Sequence, residues 1–63
     1  MTLKELIEFR NDNKITLLEL AANTGLAQSY LEMIEGGAVQ PLENDLKRIE
    51  KALLRIKDRA GGE

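Results

Sequence analysis

Neither Cys nor His occurs among the 63 residues. Thiol and imidazole nucleophiles, disulfide frameworks and the common zinc sites are therefore out of reach, and no metal or cofactor is expected. The 11 Asp and Glu residues are scattered along the chain, no glycine-rich loop is present to cradle a phosphate, and no apolar pocket is evident that would shift a carboxyl towards acid–base work. Neither an enzyme nor a small-molecule substrate is expected. The chemistry left to this chain is non-covalent recognition through hydroxyl, amide and cationic side chains.

The formal charge is -2, from nine Lys and Arg against 11 Asp and Glu. That balance argues against a polyanionic partner, although a net charge says nothing about how charge is distributed. The length predicts one domain, residues 1–63, with a core too small for a substrate-sized pocket and one that gains from a second copy. No apolar run approaches the roughly 18 residues that cross a bilayer, and the first residues lack a signal peptide's pattern. No membrane partner is expected, and the predicted location is the cytoplasm.

Four helices must position the polar groups, so the expected fold class is all-α. Thr2-Leu3-Lys4-Glu5 reads as a capping box opening a helix over about 2–12, with Leu3, Leu6, Ile7, Phe9 and Arg10 at helical spacing. Thr16-Leu17-Leu18-Glu19 repeats that pattern for a helix over 16–24, closed by Gly25 in a left-handed conformation. A third helix, 27–35, stops at Gly36-Gly37. Pro41 can start but not continue a helix, which places the fourth over 42–60. There Leu42, Leu46, Ile49, Leu53, Ile56 and Ala60 recur at spacings of four and three; the first half is expected to close the core and the second, from about Leu54, to lack a cover. Residues 61–63 should fray.

Glu19-Leu20-Ala21, Gly25, Ser29-Tyr30-Leu31, Ile34-Glu35, Gly37 and Pro41 stand at fixed offsets over Thr16–Pro41. Each offset has a physical reason: Ala21 is small where two helices cross, Gly25 accepts a positive φ, and Ile34 turns inward while its neighbours face out. Jointly they resemble the Xre/Cro/cI (lambda-repressor-like) helix-turn-helix family, and the likeness spans residues 6–53. The resemblance implies a bundle of four or five helices whose third helix lies in the major groove of double-stranded DNA. It implies base-reading roles for Gln28, Ser29 and Met33, since Gln pairs with adenine N6 and N7, Ser bonds to several bases, and Met can meet a thymine methyl. The alternative for all three is a solvated or helix-covering surface.

The same likeness implies backbone contacts from Thr16 and Leu17 at the second helix's N-terminus, from the Tyr30 hydroxyl, and from Lys14, Gln40 and Asn44; the alternative for Tyr30, compatible with the first, is a core aromatic with a wet hydroxyl. Arg10 and Glu35 occupy positions of a structural ion pair. The chain departs from the family at Leu17, commonly Gln, and at Ala38 and Val39, where Lys or Arg often stands. Glu32 and Glu43 add negative charge, and Lys47, Lys51, Arg55 and Arg59 form a stripe that reads by default as a solvated face. One such domain covers one half-site, so a homodimer through Leu54, Ile56 and Ala60 on an inverted repeat is expected of a phage or bacterial repressor. The competing reading is a protein-interaction module, an antitoxin or assembly domain, on the same fold.

Overall fold

Thr2 and Glu5 open the chain's first helix. In the computed structural model, which describes the backbone of residues 1–61 and the side chains of residues 1–59, the Glu5 N–H donates to Thr2 Oγ1 at 3.2 Å and the Thr2 N–H to Glu5 Oε1 at 2.8 Å. This reciprocal pair starts α1 (Leu3–Asp12) by satisfying two N–H groups that a bare helix end leaves open. The Thr2 N–H also lowers the Glu5 pKa. The cap's contribution is therefore complete above the ordinary Glu range and lost as pH falls through the lowered value.

α1 ends through Lys14, whose φ is +56°. Its N–H donates to the Asn11 carbonyl and that of Ile15 to the Arg10 carbonyl, at 3.1 and 3.0 Å, the paired bonds of a Schellman ending. A lysine is strained in this left-handed conformation. The two bonds and the burial of Ile15 offset that strain.

α2 (Leu17–Thr24) is capped by Thr16, whose Oγ1 accepts the Glu19 N–H at 3.0 Å. Here only half of the expected box forms, because the Thr16 N–H is not bonded by the Glu19 side chain. The helix ends at Gly25, φ +77°, with the Gly25 N–H on the Ala21 carbonyl. A Cβ at Gly25 would meet open space, so the dihedral alone asks for glycine.

Thr24 fixes the turn that follows. Buried at 7% exposure, it donates its hydroxyl to the Leu20 carbonyl at 2.8 Å and accepts the Leu26 N–H at 3.1 Å. Thr24→Val keeps the shape but leaves the Leu26 N–H without an acceptor, so a loss of about 1–3 kcal/mol is expected. Urea unfolding measures it, and Thr24→Ser should retain most of the stability. Equal losses in both variants would show that the methyl, not the hydroxyl, matters.

α3 (Gln28–Glu35) starts from Ala27, which supplies no side-chain cap, and ends through Gly36 and a left-handed Gly37. α4 (Glu43–Gly61) takes its first helical bond from the Leu46 N–H to the Leu42 carbonyl. Four helices, and no strand, are present among the described residues. α1 and α2 pack on α4, and α3 packs on α2.

The core joins Leu6, Ile15, Leu20, Leu31, Ile34, Ile49, Ala52, Leu53 and Ile56. Two members of the expected α4 seam stand otherwise than the spacing implies. Leu42 is 70% exposed, since it precedes the helix and shares none of its inward face. Ile56 is buried at 6%, which corrects its expected place on an uncovered surface. The reason lies in the α1–α2 connection: Ile15 belongs to the same cluster, and Phe9 sits beside this end of α4, with Lys57 Nζ 5.2 Å from its ring centroid. The helix continues to Gly61; the fraying expected of Gly62 and Glu63 falls outside the described residues.

The cavity between α1, α2, α3 and α4, lined by Leu6, Leu20, Leu31, Ile34 and Leu53 among others, holds about 10 Å³. That is room for one water at most, and its lining gives a water little to bond. No helix among the described residues is long and apolar enough to cross a membrane.

Candidate nucleic-acid interface

Leu31 and Ile34 bury one side of α3, and helical geometry then turns Gln28, Ser29, Glu32 and Met33 outward. All four are exposed, Met33 at 43%. The three base-reading candidates, Gln28, Ser29 and Met33, thus share one open face. Gln28 Nε2 approaches Glu32 Oε2 only at 3.5 Å, a distance at which little bond strength is left. The amide therefore keeps its donors and its acceptor for a partner. Glu32, one turn further on, adds a carboxylate that can accept from a cytosine N4 amine. The sequence alone shows this residue as added negative charge.

Two contacts hold this helix in place. Arg10 Nε and Nη2 donate to Glu35 Oε2 and Oε1, both at 2.7 Å, and Nη1 donates to the Ile15 carbonyl, also at 2.7 Å. The guanidinium so ties the C-terminal end of α3 to α1 and to the connection before α2. At the other side the Tyr30 hydroxyl donates to Asp45 Oδ2 at 2.7 Å, joining α3 to the first turn of α4. This bond and its negative charge raise the Tyr30 pKa. The contact's contribution is whole below the ordinary phenol range and is lost as pH climbs through the raised value.

The Tyr30 proton expected to meet a phosphate is thus committed to a carboxylate, a bond that spacing alone could not reveal because Asp45 lies 15 residues on. Thr16 fits its expected role better. Its oxygen accepts the Glu19 N–H, which leaves the hydroxyl proton to be donated outward. The Leu17 and Leu18 N–H groups find no partner among the described residues and stand where the helix dipole favours an anion. The Leu17 side chain itself packs against the core.

Lys14, Gln40 and Asn44 are exposed. Lys14 sits in the connection leading to α2, Gln40 in the loop after α3, and Asn44 in the first turn of α4. Asn44 shares a surface hollow with Lys47, Arg48 and Lys51. Of the expected dimer residues, Leu54 is 44% exposed, Ile56 is in the core, and the Ala60 side chain falls outside the described residues.

No curated protein and no solved structure matches the chain. A family model described as "Helix-turn-helix" matches residues 6–54, well over half of the sequence, and takes in most of α1, α2, the Thr24-locked turn, α3 and the larger part of α4. An outward α3 set against a capped α2 across a glycine turn is the geometry that this description names. The chain belongs to the helix-turn-helix family of Xre and lambda-repressor type, whose members are DNA-binding regulators.

Proposed function

We propose that the protein is a sequence-specific regulator, a repressor, that binds an inverted-repeat operator as a homodimer and works in the cytosol of a bacterial cell, host or phage-infected. The observation that carries this reading is the open α3 face: Gln28, Ser29 and Met33 project from a helix anchored by the Arg10–Glu35 and Tyr30–Asp45 contacts. A face of this kind fits the major groove, whose base edges offer a different donor and acceptor pattern for each pair. Thr16, the Leu17 main chain, Lys14, Gln40 and Asn44 would set the register on the backbone. With Ile56 withdrawn, Leu54 and Ala60 are the apolar groups proposed to meet a second copy.

One observation favours the rival reading, a module that binds protein on the same fold. The exposed residues of α3 include no Lys or Arg, and Leu18, Met33 and Leu42 leave apolar surface open.

Selection from genome fragments, followed by anisotropy titration, separates the two. One palindromic motif should emerge, and Gln28→Ala should weaken it by about 1–3 kcal/mol while relaxing preference at a single base position. Equal affinity for every duplex, unchanged by Gln28→Ala, would give the site to a protein partner. Sedimentation at rising concentration tests the dimer, and Leu54→Asp should hold the chain monomeric.

A further inference from the structure

We propose that the outer face of α4 is a second phosphate-binding surface, on which Lys47, Arg48 and Lys51 grip the backbone of the duplex that α3 reads. The inference rests on the reading of α3 given above. Its basis is a mismatch: α3 offers base-reading groups without cations, whereas three cations and an amide gather around one hollow on α4, which no carboxylate lines.

Two of the neighbouring acids are engaged elsewhere, and the third, the exposed Glu43 four residues before Lys47, makes no ion pair within 4 Å among the described residues. Asp45 accepts the Tyr30 hydroxyl, and Glu50 Oε1 takes the Met1 ammonium at 3.1 Å. No ion pair within 4 Å engages Lys47, Arg48 or Lys51 among the described residues. The two flanks of α4 also differ. Glu50 and Lys57 face α1, through Met1 and Phe9, whereas Asp45 faces α3. Arg48, three residues after Asp45, adjoins it along the helix surface. The hollow therefore borders the α3 side of α4, where a backbone leaving the recognition helix would pass. Charge complementarity commits it to phosphodiesters, and a lysine, an arginine and a lysine within one turn can each displace a condensed counterion.

The test uses the full chain and a fluorescein-labelled duplex of mixed sequence, with anisotropy read at several salt concentrations. Lys47→Gln/Arg48→Gln/Lys51→Gln should reduce the slope of log K against log salt by about 2–3, since each phosphate contact contributes about 0.9. A charge-matched control, Lys4→Gln/Lys57→Gln/Arg59→Gln, should change it by less than about 1 on the same scale. Equal slopes in the two triple variants, or no change from the parent, would overturn the proposal. So would polyglutamate competing for the parent chain as well as the duplex does. These outcomes concern slope on DNA of any sequence, whereas the α3 reading fails through a lost base preference.

Discussion

Leu53→Ala should lower the unfolding free energy by about 2–5 kcal/mol. Leu53 is 1% exposed and lies where the inward faces of α1, α2 and α4 meet. Removing its branch loses apolar burial and leaves a hole that these short helices can close only by shifting. A domain of this length holds on the order of 3–9 kcal/mol in all, so the substitution takes a large part of it. Far-UV circular dichroism with urea measures the loss. The adjacent Leu54, 44% exposed, provides the contrast, since Leu54→Ala should stay within about 0.5 kcal/mol in the monomer. Similar losses at both sites would mean that α4 is not rotated as described.

Arg10→Met should cost about 2–4 kcal/mol. A fully buried pair loses roughly 3–5 kcal/mol when one partner is removed; here the side chains keep 14% and 20% exposure, so water softens the penalty. The Glu35 carboxylate would lose both of its donors, and the Ile15 carbonyl would lose one. Each kcal/mol moves the melting midpoint of so small a domain by about 4–8 °C, which puts the drop on the order of 15 °C. Arg10→Met/Glu35→Met should recover most of it, because the main penalty is a stranded charge. A double variant no more stable than the single would show that the guanidinium acts by packing or through the Ile15 carbonyl.

Short-range signals were legible in the residues themselves. Thr2 and Glu5 meet across three positions, and Gly25 and Gly37 close helices where a positive φ is needed; such features depend on near neighbours only. The outward set of Gln28, Ser29 and Met33 could be read from family likeness because Leu31 and Ile34 fix the helix's rotation. What escaped depended on distant partners. The spacing that includes Ile56 shows which side of α4 is apolar, but not how far along it Phe9 and Ile15 provide cover. The Thr24 hydroxyl was invisible to a pattern that counts it only by position on a helix face. Lys14 carries a conformation for which its residue type is a poor signal. Arg48 entered no stripe, since the every-fourth-residue pattern of Lys47, Lys51 and Arg55 passes it by.

Ala27 begins α3 without a side chain to hold its first turn. The amide hydrogens of Gln28, Ser29 and Tyr30 find no acceptor among the described residues, and Gln28 and Ser29 are two of the side chains proposed to read bases. Freezing them against a duplex therefore carries an entropic cost that a serine in place of Ala27 would already have met. On the proposed function, position 27 is thus a control on residence time at the operator that leaves every contacting side chain unchanged.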